Sequence, residues 1–221
     1  MGQVEQDGVG PWPLFGIELT VRDVVLNPLR EADMGPLADI YPDDAEHDPG
    51  ASLWSDMDLS ANRKRLLVQG YWKNWGNWSP DSWCLAFRVS HRGRVVGTQS
   101  LEANLFPQLR TVDSGSWLAT HARGHGVGTA MRAAILGFAF DHLGAEVAIT
   151  SSRTDNAPSI AVSRRLGYME NGVSRVMSPT GPCELLHFRL DRTTWIASGK
   201  GTEASARGLK GSSPYFGVEV A

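Results

Sequence analysis

The feature that most constrains this chain is a set of alternate glycines, Gly124, Gly126 and Gly128, between a strand-like and a helix-like segment. Glycine has no Cβ, so the backbone of such a turn can approach a ligand closely. A helix that begins at the turn presents unpaired N–H groups and the positive end of its dipole. The pattern therefore predicts a phosphate or pyrophosphate site, with the guanidinium fork of Arg123 as a neighbouring cation.

Other phosphate-binding motifs fit this turn less well. The dinucleotide fingerprint G-x-G-x-x-G, counted from Gly126, would need a glycine where Met131 stands. The P-loop motif needs a lysine followed by serine or threonine, and that pair does not follow. A glycine-rich turn that binds no ligand remains the alternative.

The rest of the chain alternates between strand and helix patterns. Strands are predicted at about 24–26, 84–89, 95–98, 110–119, 147–150, 173–177 and 184–190. Helices are predicted at about 30–40, 60–72 with Ser60 as the N-cap, 157–166, and from the glycine turn to about 143. The strand at 147–150 is continuously apolar, which is typical of a strand covered on both faces.

The domain organisation follows from composition along the chain. Residues 1–16 are rich in glycine and proline and are predicted to form an arm, and residues 17–197 a single domain. Residues 198–221 are predicted to form a tail, whose apolar tip either docks on the domain or frays.

The net charge and the cysteine content indicate which cellular location and which binding partners to expect. The net charge of -3 gives no electrostatic reason to expect nucleic acid or anionic lipid as a partner. We expect no secretory signal and no membrane span, because no apolar run approaches the ~18 residues that a span needs. Cys84 and Cys183 form no C-x-x-C pair and are predicted to be free thiols in a reducing cytoplasm.

Two blocks resemble the GNAT superfamily of N-acetyltransferases. The block 115–129, G-S-W-L-A-T-H-A-R-G-H-G-V-G-T, carries the Arg-x-x-Gly-x-Gly pattern of the family's acetyl-CoA motif, beginning at Arg123. The block 155–168, D-N-A-P-S-I-A-V-S-R-R-L-G-Y, resembles the Asn-x-x-Ser block of the RimJ/RimL-type branch, which acetylates ribosomal-protein N-termini. The resemblance spans about Val24 to Trp195.

This resemblance implies an α+β GNAT fold, with a mixed, mostly antiparallel sheet that is flanked by helices and splayed at the cofactor site. It implies acetyl-CoA as co-substrate, an amine as acceptor and no metal, and it is compatible with a homodimer. The pantetheine arm would pair with backbone groups in the splay, although Trp117 is as readily a plain core aromatic. The implied cofactor-binding residues are Trp117, Leu118, Ala119, Arg123, Gly124, His125, Gly126, Val127, Gly128, Thr129, Asn156 and Ser159.

Acetyl transfer to an amine benefits from a base for the ammonium and an acid for the departing thiolate. Ser159, the serine of the Asn-x-x-Ser block, is the candidate acid, unless it only hydrogen-bonds the backbone as helix-start serines do. Many GNAT enzymes use a tyrosine as the acid, and Tyr168 lies too far along the chain to replace it. Glu102 and Asp113 are candidate bases, and either is as readily a solvated strand residue.

A metal site is not expected. His121 and His125 are four residues apart, but the glycines around them disfavour the helix that such a pair of metal ligands needs. His125 more plausibly offers its backbone N–H to phosphate.

The acceptor is the least constrained part of the prediction. Residues 47–83 are rich in tryptophan, which suits either an aromatic binding wall or the buried side of a helical lid. The favoured function is acetylation of a protein or peptide N-terminal α-amine. The alternatives are acetylation of a small amine, such as an antibiotic, a polyamine or an amino acid, and a non-catalytic acyl-CoA-binding module.

Overall fold

The computed structural model describes residues 12–45, 51–178 and 181–218. Its strands are β1 (Glu18–Val21), β2 (Val24–Pro28), β3 (Trp83–His91), β4 (Arg94–Ala103), β5 (Thr111–Val112), β6 (Ser116–Leu118), β7 (Val147–Arg153), β8 (Met169–Ser178), β9 (Gly181–Asp191) and β10 (Ala204–Arg207). Its α-helices are α1 (Met34–Asp39), α2 (Leu59–Gly76), α3 (Phe106–Leu109), α4 (Val127–Gly137), α5 (Ala157–Leu166) and α6 (Arg192–Ser198). The predicted α+β class is confirmed.

The strands form two sheets that meet at one point. The first has the order β10-β1-β2-β3-β4-β6 and is antiparallel throughout. The second has the order β5-β7-β9-β8, in which only β5 and β7 are parallel. An isolated antiparallel bridge between Glu102 and Asp113 joins the two sheets. The expected mixed and mostly antiparallel arrangement is confirmed.

The segment predicted as one strand at 110–119 is divided between the sheets. Its first part, β5, pairs with β7 through Val112 and Ala148, whereas its second part, β6, pairs with β4. The backbone N–H of Ser100 donates to the carbonyl oxygen of Gly115 at 2.7 Å and holds the chain on the β4 side. The described strands therefore have a gap between β6 and β7, as the expected splay requires.

The helices cover the sheets through two apolar clusters. α4 belongs to the main core, where Met131, Ile135 and Phe138 are almost fully buried. Leu37 is fully buried in a smaller cluster, in which Trp117 also packs. In this region α1 contacts β4 and α2 contacts β3. None of the helices in the described ranges is long and apolar enough to span a bilayer.

Both ends of the described chain pack on the domain. Within the predicted tail, β10 pairs with β1, and Phe216 is fully buried against Trp78 and Trp83. The indole N–H of Trp78 donates to the carbonyl oxygen of Tyr215 at 2.8 Å, so the tip docks. Of the predicted arm, residues 1–11 lie outside the described part, and Leu14 is fully buried.

Several local predictions need correction. The N-cap of α2 is Asp58, not Ser60, because the Asp58 carboxylate accepts a hydrogen bond from the Ala61 N–H at 2.7 Å. The helix also continues past residue 72, where Trp75 stacks on Trp78. Burial along β7 alternates, so this strand is buried mainly on one face, and not on both as its apolar sequence suggested.

Candidate functional site

The glycine turn leaves open space in front of the N-terminus of α4. Gly124 and Gly126 both have φ of 79°, a conformation that favours glycine. A Cβ at either position would meet no atom within 4 Å. Gly126 is the N-cap of α4 and supplies no side-chain cap, while the first backbone N–H groups of the helix have no intrahelical partner. This geometry suits an anion at the turn.

Gly128 has different surroundings from the other two glycines. A Cβ there would lie 3.6 Å from Cγ2 of Val162 and 3.7 Å from Cδ1 of Leu118, both ordinary van der Waals distances. Gly128 therefore faces α5 and β6 and not open space, and this packing does not itself require glycine.

Arg123 differs from the sequence prediction in what its side chain contacts. Its Nη1 and Nη2 atoms donate to the carboxylate of Asp44 at 2.6 and 2.8 Å. Its Nε donates to the carbonyl oxygen of Leu118 at 3.0 Å. The fork that was expected to face phosphate is thus occupied by Asp44 in this structure.

β6, the strand expected to pair with pantetheine, is hydrogen-bonded to β4 on one side and borders the gap to β7 on the other. The N–H of Ala119 donates to the carbonyl oxygen of Val96 at 2.8 Å, in line with the ladder to β4. The side chain of Trp117 packs on Tyr41, with ring centroids 4.7 Å apart. Trp117 is therefore a packing aromatic whose backbone lies opposite Thr98 in the ladder to β4, and the implied cofactor role does not need its side chain.

The N-terminus of α5 is capped by Asn156. Its Oδ1 accepts a hydrogen bond from the backbone N–H of Ser159 at 3.2 Å, so the carboxamide that was expected to touch pantetheine also fixes the start of the helix. Ser159 is half-buried in the first turn of α5.

The two candidate bases lie side by side where the sheets meet. The N–H of Glu102 donates to the carbonyl of Asp113 at 2.9 Å, and the reverse bond is 2.7 Å. Glu102 is exposed, whereas Asp113 is half-buried. Burial raises the pKa of Asp113, although the Ser114 N–H and the charges of Arg132 and His187 act in the opposite direction. Burial thus favours the protonated form of Asp113, which is the direction that suits a group that must take up a proton.

A concavity of about 540 Å³ lies beside the glycine turn. It is lined by residues 39–44 on one side and by Ala119, Thr120 and His121 on the other. Three of its lining residues are aspartates, of which Asp43 pairs with Arg63 and Asp44 with Arg123. His121 lies in a 3-10 turn (Thr120–Ala122) and His125 in the glycine turn, and not together on one helix.

Sequence reasoning missed a group of polar side chains at the closed end of the gap. Arg132 on α4 and Tyr168 after α5 are buried there, and only 5% of each residue is exposed. His187 on β9, whose Nε2 lies 2.7 Å from Oγ of Ser174, acts electrostatically on Asp113. A detectable signal was available for Arg132, because it is the lone charged residue in the apolar sequence of α4.

Comparison with known proteins agrees with this geometry. The model of the GNAT acetyltransferase domain matches residues 23–169. RimJ of Mycobacterium smegmatis, solved with CoA-disulfide, is 20% identical with a TM-score of 0.63, over 83% of this chain and 93% of that chain. RimL, a ribosomal L7/L12 α-N-protein acetyltransferase solved with coenzyme A, is 14% identical with a TM-score of 0.63, over 79% and 97%. A GNAT-family acetyltransferase from Bacillus anthracis is 13% identical with a TM-score of 0.63, over 80% and 99%.

At these identities the solved structures show a shared fold, whereas the family model covers more than half of the chain. The resemblance found in the sequence is confirmed. The chain belongs to the GNAT acetyltransferase family and is an acyltransferase.

Proposed function

We propose that this protein transfers the acetyl group of acetyl-CoA to the N-terminal α-amine of a protein or peptide. The observation that carries the proposal is the open glycine turn at the start of α4, next to a strand whose far edge is unpaired. Residues 123–129 would hold the pyrophosphate, and the backbone of residues 117–119 would pair with the pantetheine arm. Asn156 and Ser159 would contact the arm from α5.

The concavity next to the end of β6 offers carboxylates to a cationic acceptor. Asp39, Asp43 and Asp44 line it. Asp43 and Asp44 are paired with Arg63 and Arg123 in this structure, and Asp44 would be released when phosphate takes the Arg123 guanidinium. An α-amine has a pKa of about 7.7–8.0, so a large fraction of it is protonated at neutral pH, and carboxylates would attract it. The structural relatives include proteins named as ribosomal-protein acetyltransferases, which is consistent with an N-terminal acceptor.

The chemistry proposed for the side chains is direct transfer. Asp113 or Glu102 would take the proton from the ammonium, and the neutral nitrogen would attack the thioester carbonyl. Ser159 would donate a proton to the departing thiolate. We also propose a homodimer and a cytoplasmic location, as expected from the sequence.

The test is an acceptor panel under one set of conditions. We expect thiol release from acetyl-CoA with peptides that have a free N-terminus, and mass spectrometry should locate the acetyl group on the α-amine. The same peptides with a formylated N-terminus, but with an internal lysine, should be inactive. Faster turnover of polyamines, aminoglycosides or free amino acids would redirect the assignment to a small amine. CoA binding without turnover on any acceptor would favour a binding module.

A further inference from the structure

A group of buried polar side chains spans the gap where the two sheets part. Arg132 on α4 is 5% exposed, and Thr150 on β7 is 4% exposed. Nη1 of Arg132 donates to Oγ1 of Thr150 at 3.2 Å, while Nη2 lies 3.5 Å from Oγ of Ser116 on β6. The guanidinium therefore connects β6 and β7 where no ladder of the described sheets does.

Three buried polar groups lie together here: the guanidinium of Arg132, the hydroxyl of Ser114 and the hydroxyl of Tyr168. The Tyr168 hydroxyl interacts with both Ser114 and Arg132. Buried polar groups in folded proteins are usually satisfied by such mutual contacts. The three side chains therefore form one connected polar cluster, in which the hydroxyls lie next to the charge of Arg132.

The charge of this group is positive. Arg132 is in none of the ion pairs that the described residues form. Two other titratable groups interact electrostatically with this region, since the charges of Arg132 and His187 both act on Asp113, and Tyr168 adds a titratable hydroxyl just after α5. The β7 residue that contacts Arg132 is Thr150, which is uncharged. A buried guanidinium without a contacting carboxylate favours a new negative charge nearby.

The proposed cofactor path ends at this group. With pyrophosphate at residues 123–129, the pantetheine arm would run along β6 from Ala119 towards Ser116. Each residue of a strand advances the arm by about 3.3 Å, so the thioester end would approach the stretch from Ser116 back to Ser114. The sulfur atom is where negative charge appears when the C–S bond breaks.

We propose that Arg132 is a positioning residue for acetyl transfer, which acts through the hydroxyls of Ser114 and Tyr168 to stabilise the CoA thiolate relative to the thiol. This rests on the proposed function. As the amine nitrogen bonds to the carbonyl carbon, the C–S bond breaks and its electron pair stays on sulfur. The amine proton goes to the base, and the thiolate is protonated through Ser159, which regains its proton from solvent.

The experiment measures the thiol pKa of CoA bound to the full chain, from the ultraviolet absorbance of the thiolate as a function of pH. We expect Arg132→Gln to raise this pKa by about one unit, a tenfold change in the thiol–thiolate ratio. Arg132→Lys, which keeps the charge, should retain most of the wild-type value. Arg165→Gln, at an exposed position of α5, removes the same charge and should change nothing.

Asp113→Asn tests the direction in which charge near the site changes the thiol pKa of bound CoA. It removes the opposing negative charge, so the thiol pKa should fall, opposite to the effect of Arg132→Gln. If Arg132→Gln does not fold, Tyr168→Phe decides the matter: loss of the hydroxyl should raise the thiol pKa, and an unchanged value would overturn the proposal. An unchanged thiol pKa in a folded Arg132→Gln variant would overturn it as well.

Calorimetry with CoA separates this proposal from the proposed function. If the wild-type protein does not bind CoA, the proposed function fails first. If it binds CoA and acetylates peptides, but the thiol pKa is the same with and without the Arg132 charge, only the role of Arg132 fails.

Discussion

The carboxylate of Asp44 holds the guanidinium of Arg123 in a two-pronged ion pair, with distances of 2.6 and 2.8 Å. Arg123 opens the turn that we propose binds pyrophosphate, so Asp44 and the cofactor compete for the same fork. Exposed ion pairs contribute only about 0.2–1 kcal/mol, whereas the turn offers a bound phosphate the N–H donors of the helix start in addition to the guanidinium. Bound phosphate should therefore displace Asp44.

Removal of this competition should tighten cofactor binding. We expect Asp44→Asn to lower the Kd of CoA by up to about fivefold at low ionic strength, the equivalent of one exposed ion pair. Titration calorimetry at low and high salt measures it. Asp43→Asn is the matched control, since Asp43 pairs with Arg63 and not with Arg123. Equal Kd values for both variants and the wild type would mean that Asp44 and CoA do not compete.

The glycine turn gives a prediction about ligand access. Gly126→Val should abolish CoA binding, because a side chain would fill the open space before the helix N–H groups. Gly93→Val is the control, because Gly93 has φ of 76° and equally open surroundings, but lies in the β3–β4 turn. Both variants carry similar backbone strain, of about 1–2 kcal/mol, so their melting temperatures should fall alike. Normal CoA affinity in folded Gly126→Val protein would locate the phosphates elsewhere.

The role of Ser159 predicts a split between binding and turnover. Ser159→Ala should lower kcat by about tenfold or more and leave the Kd of acetyl-CoA nearly unchanged, since a proton donor to the thiolate acts mainly in the transition state. Ser159→Thr keeps a hydroxyl and should recover much of the rate. Single-turnover measurements isolate this step. A higher Kd with an unchanged kcat would assign Ser159 to cofactor binding instead.

The candidate bases are separated by the pH dependence of activity. Loss of the true base should cost most at low pH, where the amine is protonated, and the deficit should shrink as pH approaches the amine's own pKa. We expect Asp113→Asn to show this pattern more strongly than Glu102→Gln, because Asp113 is the more buried carboxylate. Profiles of kcat/KM for both variants make the comparison. If both keep the wild-type profile, neither carboxylate is the base.

The pH dependence of the free energy of unfolding should report the ionisation of Asp113 independently of activity. Because burial raises the folded-state pKa of Asp113, its contribution to the free energy of unfolding is fully present below the unfolded value of about 3.9. That contribution is lost as pH rises through the folded-state pKa. Asp113→Asn should remove this loss, so the variant should gain stability on the wild type as pH rises. Urea unfolding between acid and neutral pH measures the difference.

The docked C-terminal segment predicts a stability effect far from the site. Phe216→Ala should lower the free energy of unfolding by about 3–5 kcal/mol, because Phe216 is fully buried against Trp78 and Trp83. Ile196→Ala, at a side chain that is 56% exposed, should have little effect. Chemical denaturation of both variants decides the point, and equal stability would mean that the segment contributes little.

The parts of the site that the sequence predicted are those with local chemistry. The glycine turn, the start of α5 at Asn156 and the hairpin of β3 and β4 follow from residues next to one another in the chain. The fold class was implied by the family resemblance, whereas the local periodicities predicted the individual strands and helices.

What could not be predicted depends on contacts between distant residues. The pair of Arg123 and Asp44 joins positions 79 residues apart in the chain. The split of the 110–119 segment into β5 and β6 depends on Ser100, a residue of another strand. The apolar sequence of β7 suggested burial on two faces, but only the sheet order determines which face a helix covers.

In the six-stranded sheet, the outer neighbour of β1 is β10, the last of the described strands along the chain. During synthesis, β1 therefore emerges from the ribosome long before its partner exists, with one edge open to other nascent chains. Completion of this edge must wait until residues 204–207 have been made. The order of synthesis thus places the closure of the sheet after the formation of its other strands becomes possible.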